Sequence, residues 1–201
     1  MNGSLTSMLS KSCAKIDDLI YLSKPLGTGY LMAANYQNCK ILESQELEQL
    51  MFWLSLSNKR AAVVALENNC ITMTDISGFG LASHLGDICI GSNVSAELNL
   101  TKEILINKTL KILKDFKSTG FDSNKNAMSK YISMSNKNNF ENILYDPQTN
   151  GAMLMVINPD NKINFEKIFF KECGYKPLLI GKFKKYKNFY IYVEDKNNNL
   201  N

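Results

Sequence analysis

Every apolar run in this 201-residue chain is short, and nearly every one stops at a turn. "DLIYLSK" (18–24) runs into "PLGTG" (25–29), and "CITMT" (70–74) runs into "DISGFG" (75–80). "AMLMVIN" (152–158) emerges from "DPQTNG" (146–151). Runs of this length, rich in β-branched residues and bounded by Gly, Pro and Asp, read as strands that cross a sheet once. "VSAELNL" (94–100) alternates apolar and polar residues, as a strand with one buried face does. "KPLLIGKF" and "KNFYIYVE" read as a closing hairpin.

Helical patterns fill the intervals. "YLMAANY" (30–36) is a short helix, and a longer one starts with Ser44 as N-cap ahead of Gln45 and Glu46. "KRAAVVALEN" follows directly. Trp53 and the small Ala61 and Ala62 suggest a closely packed, buried pair. Another helix follows "GFG" to about residue 90. From Thr101 the spacing of Leu105, Ile106, Leu110, Ile112, Leu113 and Phe116 predicts an amphipathic helix. Residues 118–139 are polar and read as a long loop of the kind that is often functional. "NKINFEKIFFKEC" is a helix closed by Gly174. Residues 1–16 are expected to form a flexible lead-in and residues 195–201 a disordered tail. Helices and strands alternate without a strict βαβ rhythm, which predicts an α+β domain over 17–194 with a mixed or antiparallel sheet.

Several function classes are disfavoured. Lys and Arg number 23 against 19 acidic residues, but the lysines are scattered, often beside Asn, rather than gathered in a stripe, so no nucleic-acid partner is expected. "AAVVAL" and "AMLMVI" are far too short to span a bilayer, and no membrane association is expected. The five cysteines (13, 39, 70, 89, 173) are odd in number and lack CxxC spacing, which argues against a disulfide framework or a zinc knuckle. They read as buried small apolar residues in a reduced setting, and a cytoplasmic location is expected.

Three strand-linked turns carry the candidate chemistry. Glycine lets backbone N–H groups approach a ligand without a Cβ in the way, and a helix N-terminus attracts anions. Gly27 and Gly29 in the first turn, and Gly78 and Gly80 in the second, are therefore candidates for cradling phosphate. Lys24 is a candidate phosphate partner, or else a solvated strand-end lysine. Asp75 admits two readings. Beside phosphate it has a use if Mg²⁺ sits between them, and otherwise it caps the following helix. Asp146 reads as a turn initiator and His84 as a packed helical residue.

Taken in order and spacing, "DLIYLSKPLGTG", "SNKRAAVVALENN", "TDISGFGLASHL" and "DPQTNGAMLM" resemble the selenophosphate synthetase (selenide, water dikinase) family. More narrowly, they resemble the C-terminal domain shared by the AIR-synthase-like superfamily. The resemblance covers roughly residues 17–194. It implies Mg²⁺ and ATP at the site, with Asp75 as a magnesium ligand near the ATP phosphates. Its reaction turns selenide, ATP and water into selenophosphate, AMP and phosphate. It also implies that the domain packs against an N-terminal half, which dimerises through a β-barrel. That half carries a Gly-rich loop, a catalytic Cys with a nearby Lys, and further metal-binding aspartates. No counterpart of these is expected in this chain; Cys13 and Lys15 lie at the wrong spacing. Asn150 and Ala152 stand where the family usually has Ser and Gly. A single metal carboxylate does not compensate the charge of a triphosphate, so the isolated chain is expected to be inactive.

Overall fold

The computed structural model describes residues 10–38, 41–134 and 140–194. Its centre is a seven-stranded mixed sheet in the order β2-β5-β1-β6-β3-β7-β4. The strands are β1 (Leu19–Leu22), β2 (Thr72–Asp75), β3 (Val94–Asn99), β4 (Ile132–Met134), β5 (Met153–Ile157), β6 (Leu178–Lys185) and β7 (Ile191–Glu194). The β2–β5, β5–β1, β1–β6 and β6–β3 pairs are antiparallel. The β3–β7 and β7–β4 pairs are parallel. The α+β architecture follows the sequence expectation.

Alternation along the strands explains the layers. Ile20 and Leu22 of β1, with Leu154 and Val156 of β5, face the larger core, which also receives Ala96, Leu98, Phe183 and Val193. Tyr21, Met155 and Ile157 point the other way, under Val64 and Ala65 of α3 (Lys59–Glu67) and Phe165 and Phe169 of α7 (Lys162–Cys173). A period of two thus feeds two cores from the same strands. Gly174 in left-handed conformation ends α7, as expected. Tyr21 is buried, and its hydroxyl donates to Glu166 on α7 at 2.6 Å. We expect Tyr21→Phe to lower stability by about 1.5–3 kcal/mol, the range for a hydrogen bond to a charged group, with the urea midpoint moving at constant slope.

Five expectations are corrected. The amphipathic helix from Thr101 is broken into a 3-10 turn (Lys102–Ile104) and a single α-helical turn, α5 (Thr109–Ile112). Leu26 takes the backbone between them, donating to Ile104 O and accepting from Ile106 N, so the chain is extended at Leu105. The closing hairpin is also absent, because β3 lies between β6 and β7 and pairs with both. Residues 118–134 are not simply loop. Phe121 is buried edge-on between the rings of Tyr30 and Tyr145 and opens α6 (Phe121–Met128), and β4 follows. The rest of that expected loop, 135–139, lies outside the described residues. Lastly, α2 (Ser44–Ser55) is capped by Glu43, not Ser44: Glu43 and Glu46 form a reciprocal capping box. Nor is α2 a buried helix, since Leu50 is its one buried residue.

The described part of the lead-in, residues 10–16, lies on the body. Ala14 is buried and its N–H donates to Ser92 Oγ, while Ser10 O accepts from Thr72 Oγ1. Residues 1–9, the tail 195–201 and Cys39 lie outside the described residues. Cys70 and Cys89 are buried as expected, and burial pushes their thiols up to about 11 and about 12. Cys13 is exposed.

Candidate phosphate-binding wall

Strand direction alone brings the three turns together. β1 and β2 flank β5, which runs against both, with Leu22 opposite Leu154 and Asp75 opposite Met153. The carboxyl ends of β1 and β2 and the beginning of β5 therefore share one end of the sheet. The third turn, which enters β5, sits at the centre of this end.

In the first turn Gly27 has φ +117°, and a side chain there would overlap Thr109, so glycine is required. α1 (Thr28–Gln37) starts immediately after it. Its first amides are already occupied: Gly27 N and Thr28 N donate to Gln148 Oε1 at 3.0 and 3.3 Å, and Tyr30 N donates to Asp146 Oδ2. The partners at this helix N-terminus are thus the protein's own Gln148 amide and Asp146 carboxyl group. Lys24 is buried, 2% exposed, and donates to Leu56 O and Asn150 O at 3.0 and 2.6 Å. Desolvation pushes its ammonium down to about 8. It joins α2 to the third turn, and a phosphate would compete with two carbonyls for it.

Asp146 is fully buried, yet it accepts from Ser118 Oγ (2.8 Å), Gln148 Nε2 (2.6 Å) and Tyr30 N (3.3 Å). Burial still pushes its carboxyl up to about 7 against those donors. Gln148 N donates to Ser77 O in the second turn, which makes the third turn the hub of all three. Asn150 sends its side-chain amide to Leu54 O and Leu56 O and so fastens the hub to α2.

The second turn remains open. Asp75 is the last residue of edge strand β2 and is exposed. The N-cap of α4 (Gly80–Ser92) is Phe79, with no side-chain cap bond, so Asp75 does not cap the helix. Gly78 and Phe79 are exposed, and their N–H groups have no partner among the described residues. Gly80 takes φ +74° where Leu144 and Tyr145 backbone leave little room. Behind the turn, His84 Nε2 lies 3.3 Å from both Ser77 N and Ser77 Oγ. Asn124 Nδ2 donates to Gly78 O and Tyr145 O from below. Burial pushes His84 below its ordinary value, Lys11 adds to this, and Asp75 and Asp87 oppose it.

The structure therefore separates the candidates. Asp75, Gly78 and Gly80 lie on the open turn. Lys24, Gly27 and Gly29 lie in packed contact with the hub. Sequence reasoning missed the second layer: Gln148, Asn124 and Ser118, with Asp146 and His84 read only as structural. Gln148 and Asp146 lay inside a turn already singled out, but nothing local marks a carboxylate destined for burial.

Clefts of about 200 and 210 Å³ lie elsewhere, over β3, β6 and β7. Among the described residues no group of three His, Cys, Asp or Glu side chains could hold a metal. One exposed carboxylate beside open amides still fits Mg²⁺ shared with phosphate, because that ion keeps most of its shell as water and phosphate oxygen.

The sequence pattern of the family described as AIR synthase related protein, C-terminal domain, matches residues 15–194. The selenide, water dikinase of Shewanella sp. (strain ANA-3) is 30% identical over 178 residues, 88% of this chain and 49% of its own length. The protein of that name from Sulfurimonas denitrificans is 30% identical, over 87% of this chain and 50% of its own. The chain thus spans about half the length of these relatives. Thiamine-monophosphate kinase from Stenotrophomonas maltophilia K279a superposes with a TM-score of 0.63 at 16% identity, covering 94% of this chain and 53% of that one. Hydrogenase maturation protein HypE in complex with ATP superposes with a TM-score of 0.52 at 12% identity, covering 88% and 45%. At these identities the likeness is one of fold. No described helix is long and apolar enough to cross a membrane.

Proposed function

The chain belongs to the AIR synthase related protein C-terminal domain family, and on that premise we propose that it is the C-terminal half of a selenophosphate synthetase. Its part is one wall of the site in which ATP, selenide and water become selenophosphate, AMP and phosphate. The observation that carries this reading is the exposed Asp75 at the end of β2, next to the unpartnered amides of Gly78 and Phe79. A carboxylate and two N–H donors three and four residues apart on one exposed turn suit a phosphate that shares a cation with the carboxylate.

In this reading Asp75 would hold Mg²⁺, which when bound would offset phosphate charge. Gly78 and Phe79 orient a phosphate oxygen through their amides, and Gly80 permits the turn that aims them. Gly27 and Gly29 act indirectly, by letting the first turn seat on the hub, and Lys24 braces the hub from inside. The rest of the charge compensation comes from an N-terminal half, as a partner or a preceding domain, with a homodimer as the assembly. A nucleotide-binding module without turnover is the second reading. It is favoured by Asp75 being the one acidic group at the open turn among the described residues.

Calorimetry with Mg²⁺ and a nonhydrolysable ATP analogue tests the wall. Asp75→Ala is expected to weaken binding about tenfold or more, the worth of one charge-assisted contact, with an unchanged melting temperature. Equal affinity of the two proteins would remove Asp75 from the site. Supplied with selenide, ATP and Mg²⁺, the isolated chain is expected to release no AMP; turnover would show that one wall suffices.

A further inference from the structure

We infer that His84 is a positioning residue for the phosphate-binding turn: as a neutral acceptor it turns Ser77 N–H inward and leaves the next two amides facing out. This inference rests on the proposed phosphate role of that turn and adds a residue to it.

The chemistry of the donors fixes the ring. Ser77 N–H can only donate, and it donates to His84 Nε2 at 3.3 Å. Nε2 must then carry a lone pair, so in the neutral ring the proton sits on Nδ1. The Ser77 hydroxyl lies at the same 3.3 Å from Nε2, where it can only share the one lone pair with the Ser77 amide. His84 is 9% exposed, and its Nδ1 is buried with no hydrogen-bond partner among the described residues. Leaving a buried N–H unpaired costs about 1–3 kcal/mol. Every neutral imidazole carries one N–H, and the Ser77 amide aimed at Nε2 puts that proton on Nδ1 although no partner meets it there.

The consequence lies in the three successive N–H groups of the turn. Ser77 points its N–H at His84, while Ser77 O accepts from both Gly80 N and Gln148 N. Both backbone groups of Ser77 are thus held from within, by α4 and by the hub. Gly78 and Phe79 are the amides left over, and Gly78 O is in turn held by Asn124. Without the acceptor at Nε2, Ser77 N–H has no partner and the turn loses its inner anchor. Preorganised donors bind more tightly because no ordering cost remains at the moment of binding.

His84 is the one histidine of the chain, so its ring signals in a nitrogen–proton correlation spectrum are unambiguous. In the unmodified chain Nε2 is expected unprotonated and Nδ1 protonated. Gln carries its oxygen at about the depth of Nε2, whereas Asn carries its own at the depth of Nδ1. H84Q is therefore expected to keep affinity for the Mg²⁺–ATP analogue within about threefold, while H84N and H84L lose about tenfold or more. Ser77 amide exchange is expected to be about tenfold faster in H84L than in H84Q, with core amides of α4 as the control for global opening. A protonated Nε2 overturns the inference, as does an H84Q that behaves like H84L in both readouts. If the unmodified chain binds no nucleotide analogue, the phosphate reading falls; the ring spectrum and the Ser77 exchange then decide the His84–Ser77 latch alone.

Discussion

Gly29→Ala is expected to destabilise the chain by about 3 kcal/mol or more, the upper range for inserting a methyl where no space exists. Helix propensity predicts the opposite sign. Gly29 lies in the first turn of α1, and Ala in a helix is favoured over Gly by about 0.5–1 kcal/mol. The sign is set by the neighbour. A Cβ at residue 29 would overlap Pro147 O and Asp146 Oδ1, which are backbone and a fully buried carboxylate with little freedom to retreat. Either α1 lifts from the hub or the hub shifts from Ser77. Urea unfolding of Gly29→Ala beside Gly78→Ala is the measurement, since a Cβ at Gly78 meets nothing within 4 Å. The second variant is expected within about 1 kcal/mol of the parent. Equal stability of the two would mean that the first and third turns are not seated on each other as described.

Stability is expected to pass through a minimum near neutral pH, set by two buried charges at this end of the sheet. Asp146 has its carboxyl raised from 3.8 to about 7 in the folded chain. The folded state then binds the proton more tightly than the unfolded one. The associated stability is fully present below about pH 4 and is lost as pH rises to about 7, on the order of 4 kcal/mol in all. Lys24 is lowered from 10.5 to about 8, so the folded state releases its proton first and stability recovers as pH rises from about 8 to about 10.5. Urea midpoints at about pH 5, pH 7.5 and pH 9.5 should fall and then rise. Asp146→Asn keeps an acceptor for Tyr30 N and offers a donor to Ser118 Oγ, and it is expected to flatten the acid limb. A midpoint that instead rises from pH 5 to pH 7.5 would show that the donors around Asp146 outweigh its burial.

The sequence carried the strands and the turns well, because both are local. β-branched runs bounded by Gly, Pro and Asp became β1, β2 and β5 within a residue or two, and Gly174 stopped α7 where expected. What failed was decided from a distance. The helical spacing after Thr101 was real, but Leu26 claims the backbone around Leu105 from almost eighty residues away. β3 enters between β6 and β7 because Val94, Ala96 and Leu98 complete the larger core, which no local pattern states. The site divides in the same way. Asp75 and the glycine turns were visible as motifs. The burial of Lys24 and Asp146 and the shielding of α1 by Gln148 depend on how three separate turns stack.

That stacking also sets when the site can exist. Gln148 Oε1 reaches Gly27 N across 121 positions of sequence, and β1 finds its partner β5 only after residue 153 has been made. Contacts of such long range are the slowest to form in a folding chain. During synthesis the first two turns therefore emerge long before the hub that orders them. A nascent chain stopped before the third turn has Asp75 and its glycines but no fixed arrangement of them. Competence to bind at this end of the sheet should thus appear late, so that ligand protection of growing chains against protease would mark the moment β5 joins β1 and β2.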